Sequence, residues 1–314
     1  IIKIILWNII SKIFILKSVG TKLKLWIVFF SGIVSALAGL TYKFRHKYQF
    51  SIDLLLVFFA LFFAIFSVFF VLIFKEKLYS PWAAFFGMCS GSIQATVIRL
   101  MFTVTSRVKI NISWTVIQFS VLIPFLMSVI IFREILTMRS LIGVGCIFTS
   151  IPFFGLGKSK GEIDPSIPDL TTGLLLFFCA FLTGLMFSIP KLYTHFDDSG
   201  GTFTLLFYNG LAMIVLTLTI FMIRINSEGN SRISFGITFL SIYMSLTNVG
   251  AIALLIIALL HIDGSVVYPL RTVVNILTIF LLSFVLFRER ANLLEAIGAV
   301  IALAGLVLVS ATMG

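Results

Sequence analysis

The sequence predicts an all-α integral membrane protein of ten transmembrane helices, arranged as two inverted five-helix repeats. Three observations predict it. First, 60% of the 314 residues are apolar and only 11% are charged, against about 25% charged in a soluble domain, and the mean hydropathy is +1.16. Second, the apolar residues form continuous runs near the ~20 residues that a helix needs to cross the hydrocarbon. A barrel would alternate. Third, a charged turn occurs twice. Phe132, Arg133, Glu134 and Gly143 map onto Phe287, Arg288, Glu289 and Gly298 at a constant offset of 155. Each copy ends one apolar run and starts another, the mark of an internal duplication.

Residues 1–23 form a lead-in of uncertain order. Lys3, Lys12, Lys17 and Lys22 spread around a helical wheel, and no small-residue cleavage site follows, so a signal peptide is not predicted. The first repeat covers 24–156, with spans at 25–43, 52–74, 82–104, 113–132 and 141–156. Span three carries Gly87-x-x-x-Gly91, a spacing that lets two helix backbones approach. Span four has Pro124 in its middle. A polar linker rich in Gly, Pro and charge follows at 157–169. The second repeat covers 170–314, with spans at 170–190, 203–224, 235–259, 265–287 and 292–312. Phe29-Phe30 and Lys43 find counterparts in Phe177-Phe178 and Lys191 at an offset of 148, which places Ser35 opposite Thr183. Five spans per repeat is an odd number, so the second copy enters the membrane inverted. Lys and Arg divide almost evenly between the two sides, which leaves orientation open.

A net charge of +11 would suggest nucleic acid in a soluble protein. Here the basic residues lie mostly between spans, where they anchor helix ends, and no nucleic-acid partner is expected. Cys89, Cys146 and Cys179 fall inside spans as packing residues, with no disulfide framework. No cofactor or metal is expected, because His195 and His261 sit near acids without convergent ligands.

The order of these features resembles the drug/metabolite transporter superfamily, in particular its ten-helix EamA-like members. The carriers of the resemblance are Lys43, Phe132-Arg133-Glu134 with Gly143, Lys191, and Phe287-Arg288-Glu289 with Gly298 and Gly305, over about residues 25–312. The resemblance implies a permease that moves a small solute by alternating access, in a multi-pass arrangement in the plasma membrane. It implies a cavity lined by spans three, four, eight and nine with one and six. One departure matters. The small four-helix relatives use a Glu in the first span for proton exchange, and spans one and six here hold no acid.

Polar groups deep in lipid are costly and usually face the bundle interior. All twelve acids fall at span ends or in loops. What remains at mid-depth is Gln94 in span three with Asn248 in span eight, and Gln118 in span four with Asn275 in span nine. These pairs have offsets of 154 and 157 and are near symmetry mates. Four amides at a common depth can ring a solute, or each can bond a neighbouring helix. Arg271 lies early in span nine, just after Pro269, where an opened backbone and an inward Arg suit a carboxylate or phosphate; snorkelling is the alternative. The expected substrate-binding residues are therefore Gln94, Gln118, Asn248, Arg271 and Asn275, with no catalytic residue. Arg99, Lys43 and Lys191 are read as anchors first, and Glu134 and Glu289 as ties between turns and neighbouring helices.

The leading function is a transporter, in the exporting direction, of a small polar or anionic metabolite. A flippase for lipid-linked head groups, an intramembrane enzyme and a channel are the alternatives. Partners on this reading are a small-molecule substrate and membrane lipids, with a homodimer left open.

Overall fold

A computed structural model describes residues 21–48, 50–105, 107, 113, 116–156, 170–197, 201–224, 234–287 and 293–310. The lead-in up to residue 20, the linker 157–169 and the Arg288-Glu289 turn lie outside these residues.

Ten helical segments occur among the described residues. They are α1 (Thr21–Tyr48), α2 (Ile52–Phe74), α3 (Pro81–Thr105), α4 (Val116–Ile130), α5 (Met138–Leu156), α6 (Leu170–Phe196), α7 (Thr202–Arg224), α8 (Phe235–Leu259), α9 (Gly264–Phe287) and α10 (Leu293–Ser310). Seven of them, α1–α3 and α6–α9, are long and apolar enough to cross a membrane, and α4, α5 and α10 are shorter apolar helices. The chain is thus an α-helical, multi-pass membrane protein. Large apolar side chains such as Leu72, Phe177 and Val215 point outward and are more than half exposed, as lipid-facing residues do.

Two helices outrun their apolar runs. α1 reaches Tyr48 and α6 reaches Phe196, because a helix continues into the interface while its polar residues find water or partners. Lys191 therefore does not end α6; it lies five residues inside it. Pro269 does not open α9, which runs unbroken from Gly264 to Phe287. Pro269 lies in the second turn, so its missing N–H frees only the carbonyl of Ser265. Pro124 has a larger effect. It removes the α-helical N–H that the Ser120 carbonyl would otherwise accept, and a 3₁₀ turn spans Phe119–Val121, with the Leu122 N–H donating to the carbonyls of Phe119 and Ser120. Gly184 of α6 packs here; a Cβ on it would stand 2.7 Å from that same carbonyl oxygen.

The helices interlock across the two halves of the sequence. α1 packs on α8 and α9, α2 on α7 and α8, α3 on α6 and α7, α4 on α6 and α9, and α5 on α10. Gly87 and Gly91 of α3 meet the α7 backbone at Leu205 and Asn209, and Gly143 of α5 meets Gly305 of α10. Leu55, Phe59, Phe63, Phe102 and Leu206 are almost wholly buried in one core, and Val28, Ile147, Leu255 and Tyr268 in a second.

Candidate functional site

The four amides expected from the sequence reach one cavity by different routes. Gln94 of α3 is 2% exposed, and its Oε1 accepts from Asn209 Nδ2 of α7 at 3.0 Å. Asn209 also donates to Ser90 Oγ at 3.0 Å. It comes this close because Gly87 and Gly91 carry no Cβ to hold α7 away. Gln118 Nε2 of α4 donates to Asn275 Oδ1 of α9 at 3.0 Å, so this pair of symmetry-related amides is joined. Asn248 instead donates to Met244 O of its own helix at 2.8 Å. Gln94 and Asn248 do not pair with each other.

Arg271 is 6% exposed. Its Nε donates to Ser31 Oγ at 3.0 Å and its Nη2 to Ser35 Oγ at 3.1 Å, both on α1. Ser31 Oγ passes the contact on, donating to Ala251 O of α8 at 2.9 Å. The guanidinium stands 4.9 Å from the ring centroid of Phe187 on α6, a cation–π arrangement. Among the described residues no carboxylate pairs with Arg271. Gly32, one turn from Ser35, is needed for this fit: a Cβ there would lie 2.9 Å from the Arg271 carbonyl oxygen.

Gln94, Gln118, Asn248, Arg271 and Asn275 all line one cavity of about 120 Å³, with walls from α1, α3, α4, α6, α8 and α9. The lining extends past Val97 to Tyr42, Met101 and Ile117, near one end of the bundle. Toward the other end it stops at Arg271, Phe187 and Val121.

Polar contacts lock the helices together at that second end. Glu134 follows Arg133, whose φ of 53° is left-handed and turns the chain back. Its carboxylate then accepts from the backbone N–H of Gly264 (3.0 Å) and Ser265 (2.7 Å), the first residues of α9. Lys191 Nζ of α6 pairs with it at 2.7 Å and lies over the Phe132 ring. Tyr268 O–H donates to Phe187 O at 2.9 Å just beneath. Glu76 does the same at α7, accepting from the N–H of Phe203 and Thr204 at 2.9 and 3.0 Å. Carboxylates suit helix N-termini, where backbone N–H groups are unpaired.

The two caps differ electrically. Burial pushes the Glu134 carboxyl up, but Lys191 and the Ser265 and Gly264 N–H groups outweigh it and hold the group below the usual carboxylate range. Burial wins at Glu76, whose carboxyl is raised despite the N–H groups of Thr204 and Phe203. Glu76→Gln keeps the acceptor oxygen and is expected to cost under about 1 kcal/mol, whereas Glu134→Ala strands Lys191 and uncaps α9, at a cost of about 3 kcal/mol. Thermal melts of the two variants in detergent check the ranking; equal melting temperatures would refute it. The Glu134 contribution is present above about pH 4.3 and is lost as pH falls through its lowered folded value, so an acid titration of the intact protein should weaken this end.

Several residues lay beyond sequence reasoning. Asn209, Ser31, Ser35 and Phe187 support or line the site, and only the Ser35–Thr183 correspondence hinted at any of them; Thr183 lines the cavity too. Arg99 takes no part in the cavity lining and pairs with Asp53, an acid that is 2% exposed at the start of α2. His195 packs edge-on against Phe132. The side chains of Lys43 and Glu289 lie outside the described residues.

No family model matches the chain, and no curated protein is similar to it. A solved crystal structure superposes on it with a TM-score of 0.71 at 15% identity, covering 92% of this chain and 95% of its own. That likeness shows a shared fold over nearly the whole bundle and nothing of substrate or mechanism.

Proposed function

We propose that the protein is a secondary transporter, a ten-span member of the drug/metabolite transporter superfamily. On this reading it exports a small anionic or polar metabolite by alternating access between two inverted five-helix repeats, and it is not an enzyme. The observation that carries the reading is Arg271. It is a buried cation on the wall of a central cavity, held by hydroxyls and a ring and without a carboxylate partner among the described residues. Buried charges are normally paired, and an unpaired one beside a cavity suits an anionic occupant.

The packing supports the repeat. Advance each helix by five, and α1–α8 becomes α6–α3, α2–α8 becomes α7–α3, and α1–α9 becomes α6–α4, all of which occur. α2–α7, α4–α9 and α5–α10 map onto themselves. This pattern is the one expected of a pseudo-two-fold axis, which an odd number of spans per repeat would put in the membrane plane, with the site near mid-depth at the interface between repeats. The polar lock at Glu134 and the cavity biased to the opposite end fit one of two access states.

Comparative metabolomics tests the reading. Cells with and without the protein are profiled, medium and cytosol separately. A solute class enriched in the medium only with the protein present is the expected result. Enrichment in the cytosol would reverse the direction, and no difference in either compartment would remove the metabolite reading and turn attention to lipid head groups on the two leaflets.

A further inference from the structure

Resting on the transporter reading, we infer that the site selects a small monocarboxylate, with its carboxylate on Arg271 and a short apolar body among Val97, Met101 and Ile117. Charge is the first argument. Among the described residues that line the cavity, Arg271 is the one charged group. A monoanion neutralises it. A dicarboxylate or a phosphate dianion leaves a negative charge uncompensated in a low-dielectric site, where an unpaired charge is strongly disfavoured.

Donor geometry is the second. A guanidinium has five N–H donors. Nε–H and one Nη2–H are taken by Ser31 and Ser35, and the face lies on Phe187. The remaining N–H groups, two on Nη1 and one on Nη2, meet no acceptor among the described residues. One from each nitrogen forms a parallel fork that matches the two oxygens of a single carboxylate. Because Ser31, Ser35 and Phe187 fix the plane, the fork is set before the ligand arrives, which lowers the ordering cost of binding.

Composition and size are the third. From Arg271 the lining passes the amides of Asn275, Gln118 and Gln94, then turns mainly apolar at Val97, Met101 and Ile117, beside Tyr42. The occupant is therefore polar at one end, able to hydrogen-bond in the middle, and apolar at the other. A cavity near ~150 Å³ holds benzene, so the 120 Å³ here fits a solute of about six heavy atoms. Short 2-hydroxy and 2-oxo acids satisfy all three conditions.

The test uses the full chain in proteoliposomes at neutral pH, with protein-free vesicles to subtract passive leak. Counterflow of labelled lactate, pyruvate and 2-oxoisovalerate is compared with that of succinate and sulfate, both divalent at that pH. The expected result is saturable exchange of at least one monocarboxylate, with kcat/KM on the order of 100-fold above either divalent probe. Arg271→Lys keeps the charge and loses the fork, so it should lower monocarboxylate exchange roughly tenfold with no gain for the divalent probes. Its melting curve checks that it folds, and the selectivity of the unaltered protein stands without any variant. Succinate or sulfate exchanging as well as the monocarboxylates overturns the single-charge selectivity and leaves the anion-carrier reading standing. No exchange of any of the five anions by folded protein overturns both.

Discussion

Arg271→Gln is expected to lower transport of an anionic solute by about 100-fold or more while leaving the melting temperature nearly unchanged. The two halves of this expectation have separate causes. In transport, the variant removes the one cationic group among the described lining residues. An anion in the cavity then has amides and hydroxyls only, and a lone charge near the middle of a membrane helix costs about 2.5–3.5 kcal/mol. In stability, the empty protein already bears the cost of burying an unpaired cation, and an uncharged amide relieves it. Against that relief stand two hydrogen bonds donated by the charged guanidinium, each worth about 1.5–3 kcal/mol, and a cation–π contact with Phe187 worth about 1–2 kcal/mol. Flux in proteoliposomes and a thermal melt in detergent measure both. Wild-type flux would take Arg271 out of the site. Lost flux with a collapsed melt would make the residue structural.

Gly91→Leu is expected to destabilise the bundle by about 3 kcal/mol or more. A Cβ at Gly91 would overlap the carbonyl oxygen of Asn209, and its neighbour Gly87 would place one 2.6 Å from the carbonyl oxygen of Leu205. Both obstacles are backbone, and a helix backbone cannot swing aside as a flexible side chain can. α3 and α7 must separate. Separation also breaks the bonds from Asn209 to Ser90 and Gln94, leaving buried amides unpaired at about 1–3 kcal/mol each. Gly145→Ala is the control. No atom lies within 4 Å of a Cβ placed there, and Ala favours a helix over Gly by about 1 kcal/mol, so this variant should melt at or above the temperature of the intact protein. Equal melting of the two variants would contradict the packing argument.

Hydropathy made the helices legible because lipid imposes one rule on every segment that meets it. The same rule made the site legible in part. Gln94, Gln118, Asn248, Asn275 and Arg271 stood out because polar groups are rare at that depth, and all five line the cavity. The distant partners of the charged groups at the helix ends were not legible. Glu134 meets the N-terminus of α9 some 130 residues away, and Asp53 meets Arg99; neither contact leaves a trace in local pattern. Asn209 was hidden for another reason. The Gly87-x-x-x-Gly91 spacing announces a close helix contact without naming the helix, and only α7 in place shows which amide the contact admits. Pro269 misled because a proline early in a helix and one in its middle read alike in sequence, yet only Pro124 is accompanied by a turn of altered geometry.

The neutral anchors of Arg271 carry a consequence for the membrane potential. Ser31 and Ser35 hold the guanidinium without cancelling its charge. On the carrier reading, the empty site is positive and the site loaded with a monoanion is neutral. A charge that crosses the whole membrane exchanges about 2.3 kcal/mol with the field per 100 mV. The loaded passage is then indifferent to voltage, and the field acts on the return of the empty carrier. Swapping one anion for another avoids that return and moves no net charge, so exchange should outrun net export, and only net export should respond to an imposed potential.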